Sequence, residues 1–292
     1  MTENRAVIRW LFDTGAVKIC PPEKPFWYTS GKIGPYYINT HFLYGDEKKA
    51  NSMLALIDTA LDSPMLCSGA ILSVCLENYE QEPVYAGVIN ALVSMIQNKI
   101  GTDKIDYISG GERRDWFFSL LVAKILDKPH LTIFKDMSSL EYYHGESRKI
   151  NTLSGANVLH IADLITEASS YVRAWIPAVN ALSGKMKWSL VVVDRLQGGF
   201  EALKENGVES YALAGIDAKF LEQAHEAGLI NESQLKLSLD YMADPIASMK
   251  RFIFAHPDFI THALRSDSKS RDRAELCLAE DFYGVAELYK NK

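Results

Sequence analysis

The feature that most constrains this chain is an alternation that begins near Asp106. Short apolar, β-rich runs at Tyr107–Ser109, Leu131–Phe134, Val158–Ile161 and Ser189–Val193 alternate with helical stretches at Trp116–Leu126, Ser170–Leu182 and Gly199–Asn206. Such short apolar strands need both faces covered, and helices of ten or more residues are long enough to cross back over a sheet. The pattern predicts an α/β fold, a parallel sheet flanked by helices. Small ligands of open α/β sheets bind outside the C-terminal ends of the strands. Polar residues that directly follow these runs are therefore the first site candidates.

The flanks read differently. Residues Arg5 to Val17 carry apolar side chains at helical spacing and stop at Gly15, and further helices are expected at Lys49–Leu61, Ser68–Tyr79 and Tyr85–Ile100. Beyond Gly215 the β signal disappears. Asn231 with Gln234 suggests a capping box, Asp244 followed by Pro245 suggests another helix start, and a third helix is expected over Ser270–Tyr289. The expected organisation is one domain over residues 1–216 and a helical C-terminal extension over 217–292.

Charge and composition exclude several classes. A formal net charge of −6 argues against a nucleic-acid polymer as partner, because phosphate backbones recruit proteins with surplus Lys and Arg. No run approaches the roughly 18–20 unbroken apolar residues of a membrane span, and Met1–Arg9 mixes acids and bases instead of opening a signal peptide. A cytoplasmic protein is expected. Cys20, Cys67, Cys75 and Cys277 lie far apart without metal-type spacing and read as reduced and structural.

Five segments carry chemistry. In Val158-Leu-His-Ile-Ala-Asp163-Leu-Ile-Thr166-Glu-Ala-Ser-Ser170, a strand runs through a small polar loop into a helix, which aims backbone N–H groups and a helix dipole at one point suited to an anion. An ordinary helix cap explains the same Ser and Thr residues. Asp106–Asp115 is a strand ending in Gly110-Gly111-Glu112-Arg113, again either a phosphate-facing loop or a plain helix start. Phe134-Lys135-Asp136 and Tyr142-Tyr-His144-Gly-Glu146 are polar loop segments, and Val191-Val-Val-Asp194-Arg195-Leu-Gln-Gly-Gly199 ends a strand in an arginine. A guanidinium there suits a carboxylate; an Asp194–Arg195 ion pair is the alternative.

These segments, in this order and preceded by Tyr28-Thr-Ser30-Gly31-Lys32-Ile-Gly34-Pro-Tyr36-Tyr37, resemble the type I phosphoribosyltransferases, most closely the orotate phosphoribosyltransferases, from about Arg5 to Gly215. The resemblance implies that family's fold, with a hood formed by the Tyr28–Tyr37 stretch. It implies transfer of phosphoribosyl from phosphoribosyl pyrophosphate to a nucleobase, orotate favoured, with Mg²⁺ held through the substrate and Asp163 as the one candidate protein ligand. Asp163, Thr166, Glu167, Ala168, Ser169 and Ser170, with Gly110, Gly111, Glu112 and Arg113, would bind phosphoribosyl pyrophosphate. Asp163, Lys135 and His144 would be catalytic, and Ser30, Gly31, Lys32, Tyr36, Tyr37 and Arg195 would bind the base. A homodimer is likewise implied.

The sequence departs from the family pattern at three places that matter chemically. Ala162 stands where the first of two adjacent acids belongs, Glu167 puts a negative charge in the phosphate loop, and Tyr142 replaces a loop lysine. A nucleotide-binding protein with weakened catalysis and a transferase for another base are the two alternative expectations.

Overall fold

The computed structural model describes residues 3–289. In chain order it contains α1 (Glu3–Asp13), β1 (Val17–Ile19), β2 (Phe26–Trp27), β3 (Ile33–Gly34), β4 (Tyr36–Ile38), α2 (Glu47–Ala60), α3 (Pro64–Gln81), α4 (Pro83–Met95), β5 (Tyr107–Gly111), α5 (Trp116–Ile125), β6 (His130–Ile133), β7 (Ser139–Tyr143) and β8 (Glu146–Lys149). There follow β9 (Asn157–Ile165), α6 (Ile176–Ala181), β10 (Lys185–Asp194), α7 (Gly199–Glu205), β11 (Glu209–Gly215), α8 (Ala218–Glu226), α9 (Glu232–Ala243), α10 (Pro245–Ala255), α11 (Asp258–Leu264) and α12 (Ser268–Ala279). The chain divides into two compact units, one of residues 1–16 and 39–216, the other of 17–38 and 217–292. Residues 17–38, which include the Tyr28–Tyr37 stretch, belong to the second unit.

The first unit is built on a seven-stranded sheet in the order β11-β10-β9-β5-β6-β7-β8. β5, β6, β9, β10 and β11 are parallel, as the alternating pattern predicts, and β7 and β8 add an antiparallel edge. Apolar side chains cover the sheet: Val158, Ala162, Ile165, Tyr171, Trp175, Val179 and Val191 form one cluster. α5 packs on β5 and β9 and is buried on every side from Trp116 to Ala123, as an apolar helix inside an α/β fold must be. The antiparallel hairpin closes through His144 (φ +49) and Gly145 (φ +88), two successive left-handed residues of the kind a two-residue hairpin turn requires. Its outer strand, Glu-Ser-Arg-Lys, carries the charges that keep an edge from pairing further.

The second unit joins two short antiparallel pairs, β1 with β4 and β2 with β3, to helices α8–α12. Ile33, Met249, Phe252, Ile253, Ile260, Ala274, Cys277 and Tyr283 share its core. The backbone of Ile33 is tied to the Tyr283 hydroxyl, which accepts its N–H at 2.8 Å and donates to its carbonyl at 3.3 Å. The Gln234 amide donates to the carbonyls of Ile19 and Cys20, and the same Gln234 completes the expected capping box with Asn231. The last expected helix stops at Ala279, because Asp281 and Gly284 take positive φ and the Asp281 carboxylate accepts the N–H groups of Val285 and Ala286.

Candidate active site

The site begins where two neighbouring strands part. β5 and β9 are paired only from Tyr107 and Val158 to Ser109 and His160. Past that rung the Asp115 carboxylate lies between them, Oδ1 accepting the Asp163 N–H at 3.1 Å and Oδ2 the Gly111 N–H at 3.0 Å. A cavity of about 430 Å³ opens there, lined by Glu112 to Asp115, Lys135, the run Ala162 to Tyr171, and Trp175.

Successive residues at the end of β9 border the cavity differently. Ala162 belongs to the core cluster with Ile133 and Trp175 and meets the cavity from that side, while Asp163, outside the cluster, lines it with a carboxylate. Asp163 is 7 % exposed and its Oδ2 has no hydrogen-bond partner among the described residues. Its carboxyl is pushed up to about 7, first by burial and then by the charge of Asp115, with Arg114 opposing. A buried acid in this state is costly to the fold, and such groups gather at functional sites.

The loop after β9 turns through Ala168, whose φ of +56 is the left-handed conformation that glycine adopts freely and that costs an L-residue about 1–2 kcal/mol. Its methyl packs in the core, and its carbonyl accepts the Val172 N–H at 3.0 Å as the following helix starts. Thr166 is half-buried, and Glu167, Ser169 and Ser170 are exposed at the cavity rim.

The glycine loop is packed closely. A methyl at Gly110 would lie 2.1 Å from the Ser119 hydroxyl and one at Gly111 2.3 Å from the Trp175 ring, so both positions need glycine for space. The Gly111 N–H is taken by Asp115 and the Glu112 N–H by the Ile133 carbonyl at 2.9 Å. Glu112 also accepts the Lys135 N–H at 3.1 Å and lies 3.8 Å from its ammonium. Arg113 pairs with Asp58 of α2. Arg114 and Lys135 are the exposed cations of the lining.

Arg195 leaves β10 at the same C-terminal edge, its N–H donating to the Ile165 carbonyl at 3.0 Å. The Asp194 carboxylate is engaged by the Leu196 N–H at 2.8 Å. His144 is not brought to this edge. β7 runs antiparallel to β6 with Tyr142 opposite His130, which carries the turn to the other end of the sheet, where His144 lies 3.3 Å from Asp127. The two-residue turn is the reason, since it leaves no loop to reach back. Ser30, Gly31, Lys32, Tyr36 and Tyr37 lie on the second unit. There Lys32 sits over the Phe282 ring at 5.2 Å, Tyr36 meets Tyr241 edge-on and the Tyr37 hydroxyl donates to the Trp27 carbonyl. Asp115 was not among the candidates; an acid at the start of a helix looks like a surface charge.

Comparison with known proteins places this geometry. No family model matches. Over 183 residues the chain is 26% identical to the orotate phosphoribosyltransferase of Sulfolobus acidocaldarius, a match covering 62% of this chain and 89% of that one. It is 28% identical over 124 residues to the enzyme of the same name from Methanosphaera stadtmanae, covering 42% and 67%. Among solved structures it resembles the Leishmania donovani UMP synthase with a TM-score of 0.55 at 17% identity, over 82% of this chain and 41% of that one. The fold is that of the type I phosphoribosyltransferases. Asp163 and the loop Thr166–Ser170 line the cavity, and Ala168 turns that loop in the left-handed conformation. Ala162 leaves the motif's first acid unfilled, and its side chain is part of the hydrophobic core.

Proposed function

We propose that this chain transfers the phosphoribosyl group of phosphoribosyl pyrophosphate to orotate, forming the sugar–base C–N bond as pyrophosphate leaves. The observation that carries the reading is the buried Asp163, its Oδ2 without a partner, beside a left-handed loop in a cavity of about 430 Å³. Thr166 to Ser170 would receive the 5-phosphate, through loop N–H groups and hydroxyls. Asp163 would face the ribose hydroxyls and stabilise the positive charge that grows on the sugar. Arg114 and Lys135 would meet the leaving diphosphate, and Arg195 the orotate carboxylate. Preorganised charge of this kind is worth on the order of 3 kcal/mol per interaction in the barrier.

The oxygen donors of the cavity suit Mg²⁺ in kind, yet no group of three or more His, Cys, Asp or Glu able to hold a metal is found among the described residues. In this reading Mg²⁺ would arrive on the diphosphate, with Asp163 as its one candidate protein ligand, and would neutralise the departing charge. The homodimer implied by the resemblance and the cytoplasmic residence expected from the sequence belong to the same proposal.

Incubation with Mg²⁺, phosphoribosyl pyrophosphate and orotate should yield orotidine monophosphate, with Arg195→Gln raising the orotate KM. Absence of product from pure protein would reject the reading. Glu167, exposed at the rim where the phosphate would sit, favours a second reading in which the chain binds such ligands without turning them over. Calorimetric binding of phosphoribosyl pyrophosphate without product formation would establish it.

A further inference from the structure

A second cavity lies at the other end of the sheet from Asp163. It has a volume of about 360 Å³ and is enclosed by α3, the C-terminal turn of α5, the start of β6 and the turn between β7 and β8. That is within the range of small-molecule sites, about 300–1,000 Å³. Its floor is apolar, with Leu72, Leu120 and Ala123 buried there. His130 adds no polar group to it, because both ring nitrogens are spent inside the protein, Nδ1 with the Thr132 hydroxyl at 2.8 Å and Nε2 with the Ser119 hydroxyl at 2.9 Å. Burial lowers the His130 pKa to about 3, so the ring stays neutral. The half-buried Tyr142 ring adds a wall.

The rim is cationic. Lys124, exposed, and Lys128, half-buried, line the cavity, and neither ammonium lies within ion-pair distance of a carboxylate among the described residues. Asp127, the acid of the lining, is engaged by His144 at 3.3 Å. Lysines at the end of a helix complement its dipole, which accounts for their place in the sequence. It does not account for two ammonium groups without a counter-ion beside an apolar hollow, in a chain of net charge −6. The carbonyls at the end of α5 are already taken, those of Val122, Lys124 and Ala123 accepting the N–H groups of Leu126, Asp127 and Lys128.

We propose that this cavity binds an organic carboxylate, with an apolar acyl or aryl body on Leu72, Leu120, Ala123 and Tyr142 and the carboxylate at Lys124 and Lys128. Two lysines against one aspartate leave the lining a single positive charge, which suits a monoanion better than a phosphate dianion. A neutral molecule would leave both ammonium groups without a counter-ion at a partly desolvated rim, and a wholly polar anion would gain nothing from the floor. The site is separate from the cavity at Asp163 and stands whether or not phosphoribosyl transfer occurs there.

Ligand-observed NMR titrations of the full chain with naphthoate and decanoate, each beside its neutral counterpart naphthamide or decanol, test this. At least one carboxylate should bind about tenfold or more tightly than its neutral form, and which one does so tells an aryl from an acyl body. Replacing both lysines, Lys124→Gln with Lys128→Gln, should abolish that preference. Leu76→Glu puts a negative charge on the rim from a position already 37 % exposed, and should weaken carboxylate binding to a similar degree; it decides the matter alone if the double variant does not fold. Lys135→Gln, in the cavity at Asp163, should leave carboxylate affinity unchanged. The proposal is overturned if neither carboxylate binds at millimolar concentration, if the neutral forms bind equally well, if the rim variants bind as the wild type does, or if Lys135→Gln is the change that removes binding.

Discussion

Gly111→Ala probes most directly how the glycine loop is built. A methyl group there would sit 2.3 Å from Cε2 and 2.4 Å from Cζ2 of Trp175, well inside the carbon–carbon separation of about 3.5 Å at which contact becomes favourable. The ring is 7 % exposed and packed in the core with Ala162, Tyr171 and Ile133, so shifting toward the cavity it borders would break those contacts. Overfilling a close-packed interior costs about 1–3 kcal/mol, and an overlap of roughly 1 Å with a rigid two-ring side chain puts this case near 3 kcal/mol. Set against a typical domain stability of about 5–15 kcal/mol, the loss should be plain in urea unfolding followed by circular dichroism, as a lower midpoint at unchanged slope. Gly145→Ala is the control: no atom lies within 4 Å of its added methyl and only the φ of +88 resists it, so it should cost about 1–2 kcal/mol. In a Trp175→Leu background the alanine at 111 should cost less than about 1 kcal/mol, a coupling of the size that contacting residues show. A Gly111→Ala penalty that is negligible, or the same with and without the indole, would refute the packing argument and return the glycine to a role in ligand binding.

Three further outcomes are expected. Asp163 carries a folded-state value raised to about 7 from 3.8, so the unfolded chain gives up this proton first and stability falls as pH rises from about 4 to 7; Asp163→Asn should flatten that fall and raise the melting temperature at pH 8, while phosphoribosyl transfer drops by about a hundredfold or more. Glu167→Gln removes an exposed negative charge from the rim and should tighten phosphoribosyl pyrophosphate about two- to fivefold at low salt, measured by calorimetry, with the gain shrinking at high ionic strength. His144→Ala should leave kcat within about twofold, because the hairpin turn carries His144 to the other end of the sheet; a large loss of turnover would show that the turn reaches a site after all.

What could be read in the sequence was what short stretches decide by themselves. The capping box at Asn231 and Gln234 needs only four residues and formed as expected. The parallel strands were visible because burial on both faces demands unbroken apolar runs, though β10 extends back to Lys185, where alternating exposure hides the strand. The edge hairpin β7–β8 was not legible, since an edge strand carries charges and resembles a loop. Asp115 acquires its place only because two strands distant in sequence diverge around it, and nothing local to Arg-Arg-Asp announces that. His160 is a polar residue in an apolar strand, and its partners, Ser109 and Asp115, come from another part of the chain. The hood segment was recognisable by its residues and not by its partners, because Ile33 is bonded to Tyr283 some 250 positions away.

That distance has a consequence for how the protein is made. Residues 17–38 leave the ribosome early, yet the helices that share their core are encoded after residue 216. At about 5–20 residues per second, translation of 39–216 takes roughly 10 to 35 seconds. Throughout that interval Trp27 and Ile33 have none of the helices that complete their core, so nascent chains stalled before residue 217 should be the ones that chaperones hold and proteases cut within 17–38.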